Sequence, residues 1–539
     1  MVDNLYPSLE ELRTGQKLRK NALLALLIVT IVLVIGTMTA IAYFVPDTEP
    51  STVVIAGLAV IVCIMVPTLV CYFPRIGIYF LFGASLLFPG VSGTPIPTMP
   101  TSYVPFWWNF STAGQVYAGT NLFKALPVSP GEFLMMLTFL VWIVKSVVMR
   151  EFSIKGGVFF GAIAAYTLMV LFGFINGVAH SNNMTMGLYE VRGQAYFFAI
   201  YVMTTNIFTS KEQLKPLLWL ILGCTFLQGV FAAITYFAMN GTVTEEGFMS
   251  HDESTYLSLL IFTCVLSLVI PISKKYTICS FIALIPAVIA ILGNQRRAGI
   301  AAVIIAFIPI LPLLYLITKQ HRKKIMQIGI VIGIGASIYM PLAWNSEATW
   351  ALGARAIRSQ TEPNARDNAS NVYRDTEAFD VKFTRDQSPI WGVGYGSPFL
   401  QPLPLPAVST EFVYYMPHNS LLWVWMRIGH IGFFLFYLMV ATILVKGLQH
   451  IKLVRDSNLL MMGILTIVTM LMVITTGKYD LALINCRMMS LLAVLVGVLA
   501  ILPTLQKKWD EDSGYIDQDL KPELEESDGQ LNSSFGGAL

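Results

Sequence analysis

Charged residues are scarce in this chain. Only 12% of its 539 residues are Asp, Glu, Lys or Arg, about half of the roughly 25% that is usual in soluble globular proteins. Apolar residues make up 55%. The shortage of charge excludes a disordered chain or one that coats nucleic acid, and it argues strongly against a soluble multidomain enzyme. The six cysteines lie in or beside apolar runs with no CxxC pair, which argues against a disulfide framework or a zinc site.

Apolar runs recur along the chain, each long enough to cross a bilayer as a helix of about 20 residues. We therefore predict an all-α polytopic integral membrane protein with about 14 transmembrane helices. The spans lie near residues 22–45, 52–72, 75–90, 132–149, 157–178, 186–208, 214–239, 255–272, 276–293, 296–318, 325–343, 418–447, 457–477 and 481–503. No small-residue cleavage site accompanies the first, so we expect it to be a retained anchor.

Lys and Arg are concentrated in alternate connections between these spans. They cluster near residues 145–155, 322–324 and 452–455, whereas 46–51, 179–185 and 240–254 contain neither. Short loops rich in Lys and Arg remain in the cytoplasm. We therefore predict a cytoplasmic N-terminus over 1–21, a membrane domain over 22–505 and a cytoplasmic tail over 506–539. The tail is acidic and is expected to be flexible.

Two connections on the predicted outer side are long. Residues 91–131 combine prolines with aromatic residues, which indicates either an interfacial aromatic belt or a surface that stacks on sugars. Residues 344–417, just before the twelfth span, carry both basic and acidic side chains. Long loops are exempt from the positive-inside trend. Their cations bind an anionic ligand or pair within the loop, and the sequence favours neither interpretation.

Basic side chains and one histidine gather on the predicted outer side. Arg192 lies near the start of the sixth span, Arg296 and Arg297 begin the tenth, and His418 opens the twelfth. Ionisable groups at span ends are functional candidates, although snorkelling to the interface explains any single one equally well. Arg offers a planar fork to phosphate oxygens, and His can remove a proton near neutral pH. This set predicts a transferase whose arginines hold a leaving diphosphate and whose histidine activates a hydroxyl.

Acidic triplets with metal-ligand spacing are missing from the predicted outer side. The nearest candidate is the run His251-Asp252-Glu253, whose consecutive side chains cannot all face one ion on a regular element. We therefore predict a reaction that needs no metal, and no other cofactor is suggested by the sequence.

Small residues follow His418 at helical spacing. In a continuous helix, Gly429 and Gly432 would project about 20° and about 40° from the direction of His418. This predicts a stripe where a neighbouring helix or a lipid chain can approach closely, while Arg427 would face away without an assigned role. The glycine-rich run GVGYGS at 392–397 lacks a strand–helix context, which favours a tight turn over a phosphate cradle.

The motifs together resemble the O-antigen ligase and polymerase superfamily of bacterial envelope glycosyltransferases. His418-Asn419, nine residues, Gly429, two residues and Gly432 are similar to the ligase signature. QRRAG at 295–299 is similar to a family segment at the head of a span. The passage YRDTEAFDVKFTRDQSPIWGVGYGS at 373–397 is similar to a family loop that contains an arginine, here Arg374. The resemblance covers roughly residues 186–490.

The resemblance implies a GT-C-like fold and a function at the outer, periplasmic face of the bacterial inner membrane. A glycan would move from an undecaprenyl-diphosphate carrier to an acceptor hydroxyl, with His418 acting on that hydroxyl. The donor diphosphate would be bound by arginines, namely Arg192, Arg297, Arg296 and Arg374. The supporting residues would be Asn419, Asp480, Gly429 and Gly432. Because Arg296 and Arg297 are adjacent, which of them binds the donor stays open.

The implied partners are the lipid-linked glycan, its acceptor and membrane lipid, and no nucleic acid. A ligase would use a lipid core as acceptor and a polymerase another repeat unit, and the sequence does not separate the two. One alternative is a transporter or flippase of a lipid-linked saccharide, a class in which internal repeats and midplane polar groups are common. We find no convincing repeat. Another is a non-enzymatic scaffold, which leaves the outer arginines and His418 unexplained.

Overall fold

The computed structural model describes residues 64–89, 100–104, 106–107, 109, 128–150, 152–241, 248–250, 252–359, 361–406 and 411–512. Over these residues the chain is α-helical with short 3-10 turns and has no β-strand, which confirms the predicted all-α class for this part. The predicted span 22–45, most of 52–72, most of the connection 91–131 and most of the tail 506–539 lie outside the described residues.

Most helices of the described residues follow the predicted spans closely, and two further helices lie within the predicted connection 344–417. They are α1 (Pro74–Leu87), α2 (Pro130–Val148), α3 (Phe160–Ala179), α4 (Met184–Ile207), α5 (Lys215–Ala238), α6 (Glu253–Val269), α7 (Lys274–Asn294), α8 (Arg297–Ile317), α9 (Arg322–Ala343), α10 (Leu352–Arg358), α11 (Ala365–Arg385), α12 (Ser420–Leu453), α13 (Ser457–Gly477) and α14 (Cys486–Asp512). Within the described ranges, nine helices are long and apolar enough to cross a membrane. This supports a polytopic membrane protein, while the count of fourteen spans stays a prediction.

The chain divides into two compact units. The smaller combines the residues up to Ile78 with Phe133–Phe152. There Lys145 Nζ donates to the carbonyl of Tyr72 at 2.5 Å. The larger unit holds Tyr79–Glu132 and Ser153–Leu539, and it contains all the candidate functional residues.

Helices α13 and α14 form the core of the larger unit. Their most apolar stretches are 83% and 89% buried, whereas that of α9 is only 6% buried. Helix α14 approaches α4 closely because Gly497 faces Thr204, so that an added Cβ would lie 2.6 Å from the Thr204 Cβ. The apolar surface of α9 faces outward, which is the arrangement expected of a helix in contact with lipid.

Helix α12 is broken near its start, which corrects one prediction. Gly429 has φ 64° and ψ −167°, outside helical geometry, and His418 lies before the first helical residue, Ser420. The predicted regular stripe of His418, Gly429 and Gly432 is therefore wrong, because it assumed one continuous helix. The backbone at Ile390 packs against the break, since an added Cβ at Gly429 would lie 2.2 Å from the Ile390 carbonyl oxygen.

The glycine-rich loop over 392–396 packs between α3 and this break. Gly392, Gly394 and Gly396 all have φ between 76° and 78°, a region that glycine adopts without steric cost. Backbone N–H groups of the loop bond carbonyls of the neighbouring helices: the Gly394 N–H donates to Arg427 O at 3.1 Å, and the Tyr395 N–H donates to Gly173 O at 3.2 Å. The Gly396 N–H donates to a carboxylate oxygen of Glu190 at 2.6 Å. These N–H groups are already bonded, which favours the predicted turn over a phosphate cradle.

Candidate active site

Helix α11, in the long connection before α12, presents a polar face to the protein interior. Asn364 caps its start, because its side chain accepts from the Asp367 N–H at 2.8 Å. Side chains three or four positions apart share one face of a helix, and the buried face of α11 contains Asp367, Glu377, Asp380 and Thr384. The opposite face exposes Val372, Phe379 and Phe383. Helix α11 therefore brings several carboxylates, together with the apolar side chain of Val381, against the rest of the larger unit.

A polar cavity of about 130 Å³ lies beside the start of α8 and the inward face of α11. Its walls combine four arginines with two aspartates and several neutral polar groups. The lining residues are Gln295, Arg296, Arg297, Ala298, Arg355, Asn364, Asp367, Ser370, Arg374, Tyr479 and Asp480. Four cations against two anions leave an excess of positive charge, which suits an anionic ligand.

The arginines of the cavity differ in how they are held. Arg297 pairs with Asp367 at 3.3 Å, and Arg355 donates to the side chain of Gln295 and to the Glu347 carbonyl at 3.3 Å. Arg374 forms no hydrogen bond or ion pair with any residue in the described part of the chain, although it lines the cavity. A guanidinium with open donors can bind two phosphate oxygens at once, and Arg374 fits that role best.

His418 lies at the turn before α12 and is held by a carboxylate from α11. Its Nδ1 is 3.0 Å from Glu377 Oε1, and its backbone N–H donates to Glu377 Oε2 at 2.9 Å. The Tyr373 ring meets the imidazole edge-on, with 5.6 Å between ring centroids. Glu377 is only 2% exposed, whereas the His418 side chain is 33% exposed. The imidazole is thus fixed on one side and accessible on the other.

The surroundings of His418 favour its charged form. The hydrogen bond from Nδ1 to the Glu377 carboxylate raises the pKa of His418, and burial opposes this effect. The Asp480 carboxylate also raises this pKa, and the Arg374 guanidinium lowers it. Arg374 and Asp480 both line the cavity. His418 is therefore within electrostatic range of the same two side chains that an anionic ligand would meet there.

Two predicted supporting residues hold the start of α12. Asn419 is its cap, since its side chain accepts from the N–H groups of Leu421 at 3.1 Å and Leu422 at 3.0 Å. Asp480 accepts through its carbonyl from Ser420 Oγ at 2.5 Å. Asn419 and Asp480 thus fix the turn that carries His418, and Asp480 reaches the cavity as well.

Three other predicted site residues, Arg192, Gly429 and Gly432, do not line the cavity. Arg192 pairs with Glu132 at 2.8 Å and donates to Asn109 at 2.7 Å, and it is not among the residues that line the cavity. Gly429 and Gly432 belong to the broken part of α12. The structure therefore groups Arg296, Arg297, Arg374 and Asp480 around one cavity near His418, without Arg192.

Glu377 and Arg355 were missed by the sequence reasoning. Glu377 follows Arg374 by three residues, a spacing that places both on one face once the segment is helical. That signal was present in the sequence, but it does not identify His418, 41 positions further along the chain, as the partner of Glu377. The position of Arg355 depends on the path of the connection after α9, for which the sequence gives no pattern.

Two further arginines lie fully inside the helix bundle. Arg427 bonds Glu190 at 2.7 Å and also donates to the carbonyls of Gly394 and Tyr415. It thereby holds the glycine-rich loop against α4, a role that the sequence left unassigned.

The second buried arginine, Arg487, forms a two-pronged pair with Glu253. It also lies 3.6 Å from a carboxylate oxygen of Asp252. The acidic run considered for a metal is thus engaged by a cation, and its histidine, His251, lies outside the described residues. Among the residues that the structure describes, no three His, Cys, Asp or Glu side chains are grouped so that they could hold a metal ion.

Comparison with known proteins finds a family similarity for part of the chain. No curated protein matches the chain significantly. Residues 281–437 match the family model described as O-antigen ligase. The matched segment runs from α7 into α12 and includes Arg297, Arg374, Glu377 and His418, but not Arg192 or Asp480. The match supports glycosyl transfer of the O-antigen ligase kind in a membrane protein, and it confirms the resemblance found in the sequence: residues 281–437 are similar to the O-antigen ligase family.

Proposed function

We propose that the chain is a metal-independent glycosyltransferase that moves a glycan from an undecaprenyl-diphosphate carrier to an acceptor hydroxyl. The observation that carries this proposal is the arginine-rich cavity beside the His418–Glu377 pair, with Arg297, Arg374 and His418 all inside the O-antigen ligase match. Arginines stabilise the charge of a leaving diphosphate. A histidine near neutral pH can take the proton of a hydroxyl.

The proposed step is a single displacement. The acceptor oxygen forms a bond to the anomeric carbon, while the bond from that carbon to the diphosphate oxygen breaks and its electron pair leaves with the diphosphate. The hydroxyl proton passes to Nε2 of His418. Arg374 and Arg297 bind the diphosphate, with Arg296 beside them on the cavity wall. Arg192 remains a predicted donor-binding residue, although its present partners are Glu132 and Asn109.

We place the site on the outer face of a bacterial inner membrane, with both termini in the cytoplasm. The distribution of Lys and Arg among the short connections supports this orientation. Single cysteines in place of Asp375, which is exposed on α11, and of Ser513, which lies in the tail, test it. A membrane-impermeant thiol reagent added to intact cells should label the first and not the second, and the reverse result would overturn the orientation.

A transfer assay with the purified protein in nanodiscs tests the function directly. The donor is a short oligosaccharide on a lipid diphosphate, and donor binding is measured separately from initial rates. His418→Ala should lower turnover by ~10²–10⁴-fold, the usual contribution of a general base, with donor binding nearly intact. His430→Ala is the matched control, because His430 lies within α12, twelve residues after His418, and contacts the Pro389 carbonyl instead of the cavity.

Two results would contradict this assignment. Near-normal turnover in His418→Ala would remove the base from the mechanism. Complete loss of donor binding in the same variant would make His418 a structural or diphosphate-binding residue. Transport of the lipid-linked saccharide across the bilayer, without any transferred glycan, would support the flippase alternative instead.

The acceptor is identified by the glycolipids that accumulate when the gene is deleted. A capped donor together with a bare lipid core indicates a ligase. Single repeat units in place of long chains indicate a polymerase. Both outcomes use the same cavity and the same histidine, so the His418 and arginine variants apply to either.

A further inference from the structure

Outside the cavity, the buried side chain of Glu377 holds His418 through two hydrogen bonds. Glu377 is 2% exposed, and both of its carboxylate oxygens are directed at the same residue. Oε1 meets Nδ1 at 3.0 Å and Oε2 meets the backbone N–H at 2.9 Å. A buried carboxylate is costly unless it is fully bonded. Here both bonds go to the proposed base, so Glu377 is tied to the position of His418 alone.

An ionised carboxylate accepts hydrogen bonds and cannot donate them. Nδ1 must therefore carry a proton, and in the neutral imidazole the lone pair resides on Nε2. Nε2 has no hydrogen bond from any residue of the described ranges, and a third of the side chain is exposed. The hydrogen bond of one ring nitrogen thus decides which form the other nitrogen takes.

We propose that Glu377 is a positioning residue that holds His418 in the tautomer with a free lone pair on Nε2 and stabilises the imidazolium formed during transfer. This rests on the proposed function of His418 as the base. The proton from the acceptor hydroxyl arrives at Nε2, the imidazole becomes cationic, and the negative charge of Glu377 lies 3.0 Å from Nδ1. No proton moves to Glu377.

Glutamine at position 377 tests the tautomer directly. It offers one acceptor and one donor where glutamate offers two acceptors. The backbone N–H of His418 is always a donor, so the carboxamide oxygen should bond it and the NH2 group should face Nδ1. Nδ1 then accepts, the proton moves to Nε2, and the lone pair needed for the reaction is lost. Glu377→Gln should therefore lower turnover by ~10²-fold or more while donor binding changes little.

The pH profile separates positioning from a purely structural role. The groups that act on His418 are Tyr373, Arg374 and Glu377 on α11 and Asp480 after α13. Glu377 raises the pKa of His418, and the base must be neutral, so wild-type turnover should fall as the pH drops below that raised pKa. Without the carboxylate charge the pKa of His418 falls. The acid limb of the pH–rate profile, where turnover drops as the pH is lowered, should therefore move to lower pH in Glu377→Gln.

The matched control is Asp380→Asn on the same helix. Asp380 is equally buried, but it accepts from the Leu403 N–H at 3.2 Å and does not contact His418. It should keep a near-normal rate and the wild-type acid limb. The double variant Glu377→Gln/His418→Ala should be no slower than His418→Ala, because a positioning residue acts only through its partner.

The outcomes distinguish this inference from the proposed function. If His418→Ala is inactive while Glu377→Gln keeps wild-type turnover, or loses it with an unmoved acid limb, then the positioning role is wrong and the base stands. If His418→Ala retains turnover, the proposed function fails first. A Glu377→Gln protein with lowered thermal stability but an unmoved acid limb would also overturn the positioning role.

Discussion

The arginines of the helix bundle and those of the cavity are held in opposite ways. Arg427 and Arg487 are fully buried, and each meets a buried glutamate through two guanidinium contacts as well as backbone carbonyls. Arg297 is 21% exposed and pairs with Asp367 at 3.3 Å. Arg374 lines the cavity with no hydrogen bond or ion pair to another described residue.

The difference separates arginines that stabilise the fold from arginines that can bind a ligand. A buried guanidinium must be bonded on every side, because an uncompensated charge in a low dielectric is strongly unfavourable. Such a group has no donors left for a substrate. A guanidinium at the wall of a polar cavity is partly hydrated and keeps donors available. Arg297 and Arg487 both lie near the start of a predicted span, so that this position does not distinguish the two groups.

The largest effect should follow from removing a buried arginine. Arg487→Ala leaves Glu253 buried without its partner, and breaking such a pair costs about 3–5 kcal/mol. We expect a marked fall in the yield of folded protein and in its thermal midpoint. The double variant Arg487→Met/Glu253→Leu should recover much of the loss, because a well-packed apolar pair often replaces a buried ion pair without cost. Normal thermal stability of Arg487→Ala would contradict a structural role.

A substitution at the break in α12 should lower the thermal midpoint nearly as much as the loss of Arg487. Gly429→Ala requires a residue with a Cβ at φ 64°, a strain of order 1–3 kcal/mol, and places that Cβ 2.2 Å from the Ile390 carbonyl oxygen. We expect a lowered thermal midpoint. Gly329→Ala on α9 is the control, since an added Cβ there meets nothing within 4 Å and alanine favours a helix. Equal stability of the two variants would argue against the packed break.

Removing a cavity arginine should affect the ligand and not the fold. Arg374→Ala should keep the wild-type thermal midpoint and weaken donor binding about tenfold or more, since a hydrogen bond to a charged group contributes about 1.5–3 kcal/mol. Arg374→Lys should recover only part of the affinity, because an ammonium lacks the planar fork. Arg385→Ala, on the same helix, is the control: Arg385 pairs with Asp386 at 2.6 Å and lies over Trp425. Equal donor affinity of the Arg374 and Arg385 variants would remove Arg374 from the site.

Helices were predictable from the sequence, because the length and polarity of an apolar run depend on local composition alone. The helices α3, α8 and α13 begin and end within a few residues of their predicted spans. Contacts across the chain were not predictable. Glu377 reaches His418, and Arg427 reaches Glu190 on another helix, and no spacing rule links such positions. The broken helix at Gly429 was missed because two glycines at helical spacing are also compatible with an unbroken helix.

The smallest expected effect is that of a chelator, which should leave turnover unchanged. Asp252 accepts from Asn485 Nδ2 at 2.8 Å and from Ser250 Oγ at 2.6 Å, and Glu253 is held by Arg487. Both carboxylates are therefore already engaged, and a guanidinium beside them repels a divalent cation. Initial rates should be compared before and after exhaustive treatment with EDTA, and again after Mg²⁺ or Mn²⁺ is added back. Activity that disappears with EDTA and returns with Mn²⁺ would show that a metal, and not the cavity arginines alone, neutralises the leaving diphosphate. Asp480 and Asp367, the two aspartates that line the cavity, would then be the first residues to replace.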